Sequence, residues 1–214
     1  MLFRSGDALA IGDINGDGQP DALIGTQVAG NRLLLQLGDK RSFVSTELHA
    51  LPMSAAITAV ALHDFDGDGR DEVVNATRAV ERGAYCTGLQ VVSIKADGSE
   101  QPTMLWREVS RDPVVAIDVA DFNGDGIADV FALRQQGGMM FFAGSAKGFS
   151  RDLMLPTPTQ MQSCQAFYAG IADLNGDGQA ELIVSFAGDD PGTGAMPCDS
   201  GGGFASWHLR AASL

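Results

Sequence analysis

The chain has 214 residues, 45% of them hydrophobic, which is enough to bury a substantial core. Its formal net charge of −13 argues against a nucleic-acid partner, and no run of 18 apolar residues predicts a membrane-spanning helix. The first seven residues lack the hydrophobic region of an export signal, and Gly6 enters a repeating pattern partway through. The chain is therefore expected to be a piece of a longer secreted protein.

In chain order, an apolar run at 8–11 leads into an acidic loop at 13–21, and a second run follows at 22–24. The next pair of runs, 57–62 and 73–74, encloses a loop at 64–72. A third pair, 114–119 and 130–133, encloses 121–129, and a fourth, 167–171 and 182–186, encloses 173–181. Short β-rich runs bounded by Gly and Asp predict strands. The first interval has room for strands at 8–12, 21–27, 32–37 and 42–48, and the third for 114–120, 128–134, 138–143 and 149–155.

The four loops share one nine-residue pattern. Position 1 is Asp13, Asp64, Asp121 or Asp173, and position 3 is Asn15, Asp66, Asn123 or Asn175. Position 5 is Asp17, Asp68, Asp125 or Asp177, and position 9 is Asp21, Glu72, Asp129 or Glu181, with Gly always at position 6. Ca2+ takes six to eight oxygens, and a tight loop with alternating inward side chains supplies them. Position 7 varies among Gln19, Arg70, Ile127 and Gln179, as expected of a residue that offers only its backbone carbonyl. The pattern predicts four Ca2+ sites, with loop 2, at 64–72, the tightest because it alone has acids at all four side-chain positions.

An EF-hand would close each loop with an acid at position 12 and flank it with helices. Position 12 here is Ile24, Asn75, Ala132 and Val184, so that motif is excluded. The metal loops also account for the acidity. Their ligand positions hold thirteen of the 27 acidic residues, and four divalent cations would bring the net charge from −13 to −5.

Loop starts at 13, 64, 121 and 173 are spaced by 51, 57 and 52 residues, a period typical of repeated supersecondary units. The expected repeats run approximately 6–52, 53–110, 111–160 and 161–214 within a single domain, 6–214. The strand before each loop has one bulky and one slim face, as suits an innermost strand where space tapers. Position 2, occupied by Ile14, Phe65, Phe122 and Leu174, is apolar and expected to plug the base of each repeat unit.

At this point the chain resembles the FG-GAP or VCBS-type repeat, on Asp121-Phe-Asn-Gly-Asp-Gly and on the later stretches 35–43 and 142–149. The resemblance implies an all-β fold, a β-propeller of four-stranded antiparallel blades like that at the N-terminus of integrin α subunits. About four blades would be present, a partial version of the usual seven, and the fourth lacks a clear outer strand. It further implies Ca2+ loops on one face and binding surfaces on the other. That other face should carry two long irregular insertions, 78–88 and 187–202, with Arg78, Glu81, Arg82, Tyr85, Asp189 and Asp190. Uncovered end blades would favour self-association.

In such a blade Cys164 and Cys198 fall on connections at the same end, so a disulfide between them is possible, with reduced thiols the alternative. Cys86 occupies the matching connection of the second repeat and is expected to be free or paired outside this chain. His49, His63 and His208 are scattered, and a structural or solvent-facing role is expected for each. Asp118 stands where the other repeats have Ala10, Ala61 and Gly170. It is expected to pair with Arg111 or Arg134, or else to line a ligand channel.

No nucleophile elbow, zincin motif or phosphate loop occurs in the sequence, so no catalytic residue is assigned. The expected function is a non-enzymatic, extracellular, periplasmic or cell-surface module for adhesion or for recognising protein or glycan. The alternative is an accessory propeller of a secreted lyase, hydrolase or phospholipase.

Overall fold

The structure is a computed structural model and describes residues 8–25, 32–36, 43–50, 55–155, 164–177, 181–187, 198 and 202–208. Among these residues the chain is all-β, with fifteen strands in four antiparallel sheets and no helix. The chain divides into two compact units, Met1–Val114 and Val115–Leu214, each built from two sheets.

The first unit contains β1 (Ala8–Gly12), β2 (Asp21–Gly25), β3 (Arg32–Gln36) and β4 (Phe43–Glu47), paired in sequence order. Its second sheet contains β5 (Ala56–His63), β6 (Glu72–Glu81), β7 (Ala84–Ile94) and β8 (Glu100–Val109), again in order. The period-2 alternation explains how the sheets face each other. Leu9 and Ile11 of β1 are exposed, while Ala8, Ala10 and Gly12 form a slim face turned toward the second sheet. Contact there is close: a Cβ on Gly12 would lie 3.2 Å from Leu62 Cδ1, and one on Gly25 would lie 2.5 Å from Ile57 Cγ2. The small residues therefore admit a neighbouring sheet. Ile14, Leu23, Leu48, Ile57, Val73 and Val92 fill the space between the two sheets. Each such aliphatic side chain contributes about 1.5–3 kcal/mol when fully buried.

The second unit contains β9 (Val114–Ala120), β10 (Asp129–Arg134), β11 (Met139–Ala143) and β12 (Ser150–Leu155) as one sheet. β13 (Gln165–Ala172), β14 (Glu181–Ala187) and β15 (Gly203–His208) form the other. Its core includes Phe131, Leu133, Phe141, Leu182, Val184 and Phe186, with Phe141 edge-on to Phe122 at 5.6 Å. The backbone N–H of Ala166 donates to the carbonyl of Gln135 at 2.6 Å, tying the two sheets together. β5 and β13, the opening strands of the second sheet in each unit, bulge at matching places, between Ile57 and Ala59 and between Ala166 and Tyr168.

Sheet four has three strands among the described residues, and a Cys164–Cys198 disulfide braces it with a Cα–Cα distance of 4.4 Å. Cys164 is buried against the core of the second unit. Closing a loop of 34 residues is expected to stabilise by about 2–4 kcal/mol. Replacing Cys198 with Ser should lower the urea midpoint of the chain accordingly, and an unchanged midpoint would show the bridge to be dispensable.

Three expectations need correction. The segment 78–88 is a regular extension of the β6–β7 hairpin closed by Arg82 and Gly83, not an irregular insertion. Both turn residues have positive φ, 50° and 84°, the combination that a two-residue hairpin turn requires. Cys86 is consequently a buried, free thiol within β7 and does not lie in a loop. Burial at position 2 holds for Ile14 and Phe122, which lie between the sheets of their own units. Leu174 is 59% exposed and Phe65 half-buried, because each comes from the second sheet, with no further sheet in its own unit to cover it.

Candidate metal centres

Each loop folds on its own carboxylates. In loop 1 the N–H groups of Gly16 and Asp17 donate to Asp13 Oδ1 at 2.8 and 3.1 Å, and Gly18 N–H donates to Oδ2 at 2.7 Å. Asn15 Oδ1 accepts from Asp17 N–H at 2.8 Å, and Asp17 Oδ1 accepts from Gln19 N–H at 2.9 Å. Loop 2 repeats this scheme with Gly67, Asp68 and Gly69 on Asp64. Loop 3 repeats it with Gly124, Asp125 and Gly126 on Asp121. In loop 4, Gly176 and Asp177 donate to Asp173 at 2.7 and 3.2 Å. Backbone donors thus aim the side chains at positions 1, 3 and 5 into the concavity of the loop.

The tight winding depends on glycine at position 4 as well as position 6. Gly16, Gly67, Gly124 and Gly176 have φ between 74° and 78°, and Gly18, Gly69 and Gly126 between 79° and 85°. A side chain at either position would be strained. Glycine at position 4 recurs in all four repeats, so the sequence itself carries this signal.

Position 9 closes each loop from below. Asp21, Glu72, Asp129 and Glu181 are all buried, and each accepts from the N–H of position 2. Those four bonds measure 3.0, 2.9, 2.9 and 2.7 Å. Asp129 also accepts from Gly144 N–H at 2.8 Å, anchoring loop 3 to the connection after β11. In loops 1 and 4 the position-3 amide donates toward the position-9 carboxylate, Asn15 at 3.5 Å and Asn175 at 3.0 Å. Loop 2 has Asp66 there, so repulsion replaces that bond.

The electrostatics follow from this geometry. Burial pushes the Glu72 carboxyl above the usual carboxylate range, with Asp66, Asp68 and Asp64 adding to the rise against a lowering bond from Phe65 N–H. Burial likewise raises Asp129, opposed by bonds from Gly144, Phe122 and Asn123. Asp64, Asp66 and Glu72 each offer an oxygen within 4.8 Å of the others, the one such group of three acids among the described residues. A hard cation suits this donor set: it would relieve both the desolvation and the mutual repulsion. Lys95 Nζ, 3.5 Å from Asp66 Oδ2, supplies a partial counter-charge at the exposed rim.

Nineteen of the twenty sequence-assigned positions lie in the described residues, and Gln179 lies outside them. Two of the position-7 side chains extend away from their own loops. The Arg70 stem lies along loop 1 near Gly16, and Ile127 packs toward Gly144.

Other candidate residues lie elsewhere. Arg78 and Arg111 both approach the Tyr85 ring, at 5.5 and 5.1 Å, and Glu81 pairs with Arg107. Asp189 and Asp190 lie outside the described residues. His49 is exposed, 3.4 Å from Glu100, and His63 packs edge-on to Phe65 at 5.0 Å. The His208 side chain lies outside the described residues.

Asp118 does not pair with Arg111 or Arg134. Its carboxylate accepts from the N–H groups of Val119 and Ile171, and burial raises its pKa above the ordinary value of 3.8. A carboxyl raised on folding stabilises fully below its unfolded pKa and loses that contribution as pH rises through the folded value. Ionised Asp118 is therefore a net cost at neutral pH. Asp118→Asn keeps an acceptor without the charge and should raise the melting temperature at pH 7 by about 2 °C, a gain that shrinks toward pH 4. A lower melting temperature at pH 7 would show that the charge is required.

An all-β chain of repeated sheets, each of whose first two strands are joined by a glycine-wound acidic loop, defines a class of repeat proteins. The chain belongs to the FG-GAP-like repeat family, whose model matches residues 10–74 and 121–184. Each match spans one pair of acidic loops. No curated protein matches the chain.

Proposed function

We propose that the chain is a Ca2+-stabilised β-propeller module, acting outside the cell in adhesion or in recognition of protein or glycan. The observation that carries the reading is the set of four buried position-9 carboxylates, one of which, Glu72, converges with Asp64 and Asp66. Calcium is preferred to magnesium because the loops offer many oxygens in an adaptable ring, where Mg2+ demands a smaller octahedron. FG-GAP repeats often bind Ca2+, which agrees with the donor set found here.

When bound, the cation neutralises the loop charge and locks the turn. The chain's own residues do the rest: position 9 ties the loop base to position 2, and the glycines permit the winding. The disulfide supports an oxidising compartment. The module is read as a scaffold for binding and not as a catalyst. Probing glycan and matrix-protein arrays with the chain should give binding that is present in Ca2+ and lost in chelator. Absence of binding to either array would reduce the module to a spacer.

A further inference from the structure

Loops 1 and 2 touch through one residue that the repeat pattern does not require. Asp71 occupies position 8 of loop 2, between Arg70 and the buried Glu72. Its N–H donates to the carbonyl of Asp13 at 2.8 Å, and its Oδ2 accepts from the N–H of Asp13 at 2.7 Å. Asp13 is position 1 of loop 1, whose carboxylate collects three of that loop's N–H groups. A single side chain therefore fixes the backbone of the first residue of one loop from the closing segment of the other, 58 residues away.

The approach is tight enough to require glycine on the loop 1 side. A Cβ on Gly12 would fall 2.1 Å from Asp71 Oδ2, and one on Gly16 would fall 2.8 Å from Arg70 Cγ. Position 8 in the other loops is Pro20, Ala128 and Ala180, none of which has an acceptor side chain. The clamp therefore belongs to the pair of loops in the first unit, and loop 3 serves as an internal control.

We propose that loops 1 and 2 bind cations cooperatively, with Asp71 as the positioning residue that couples them. The proposal rests on the calcium reading of the loops. Closing loop 2 around a cation immobilises the segment 70–72, and the two bonds from Asp71 then hold Asp13 with its carboxylate in place. Loop 1 has less order left to acquire when its own cation arrives. Coupling of this kind is reciprocal, so loop 1 must favour loop 2 by the same factor, expected to be about tenfold.

The test is a Ca2+ titration of the full chain followed by amide NMR. Gly16 and Gly18 report on loop 1, Gly67 and Gly69 on loop 2, and Gly124 and Gly126 on loop 3. In the wild type loop 2 should fill first, and loop 1 should follow at a midpoint below that of loop 3, which has the same number of ligand-position acids. Asp71→Ala should raise the loop 1 midpoint about tenfold while loop 3 stays fixed, and Asp71→Asn, which keeps the acceptor, should restore it. Glu72→Gln, which weakens loop 2 and leaves Asp71 in place, should also raise the loop 1 midpoint. A loop 1 midpoint indifferent to both Asp71→Ala and Glu72→Gln overturns the coupling alone. Silence of every loop amide toward Ca2+ overturns the calcium reading as well.

Discussion

Transfer of the chain from Ca2+ into chelator should lower its melting temperature by more than 10 °C. A ligand that binds only the folded state at a hundred times its dissociation constant stabilises by about 2.7 kcal/mol per site. For a chain of this size each kcal/mol moves the melting temperature by roughly 2–4 °C. Removal of the cation also exposes the cost already visible in Glu72, whose carboxyl is raised by burial and by Asp66, Asp68 and Asp64. Readdition of Ca2+ should restore the transition, and Mg2+ should restore much less of it. A melting curve indifferent to chelator would remove the cation from the account of stability.

The second-largest effect is expected at Asp129. This carboxylate is 2% exposed and accepts from Phe122 N–H and Gly144 N–H. Asp129→Ala removes a proposed ligand and leaves two buried donors unsatisfied, each costing about 1–3 kcal/mol. Backbone cannot easily shift to compensate, because a Cβ on Gly144 would already lie 2.1 Å from the carbonyl oxygen of Ala128. The substitution should destabilise by about 2–6 kcal/mol even in chelator, where the ligand role is silent. Asp125→Ala, by contrast, lies on the exposed rim and should cost little without Ca2+. Equal losses for the two variants in chelator would mean that position 9 has no anchoring role of its own.

Much of the architecture could be read from residues. Strands in the first and third repeats lie within two residues of where the Asp and Gly punctuation places them, because the loops fix both flanks of the leading pair. The position-9 acid was legible for the same reason: its spacing from position 1 never changes. Features that depend on distant partners were not legible. The slim face of β1 looked like a response to tapering space, yet its small residues admit the sheet that begins at Ala56. Asp71 looked like one more acid in an acidic loop, since its partner Asp13 is 58 residues away. The β6–β7 extension was misread because Arg82 takes a positive φ that Asn or Gly usually fills, so the two-residue turn carried no familiar sign. Exposure of Leu174 follows from the number of sheets in its unit, which position 2 alone does not encode.

The central claim is that these loops are calcium sites, and calorimetric titration of the metal-free chain tests it most directly. The account predicts four equivalents of Ca2+, one for each loop, and one equivalent fewer in Asp125→Ala. A flat titration, or a stoichiometry that Asp125→Ala leaves unchanged, would contradict it.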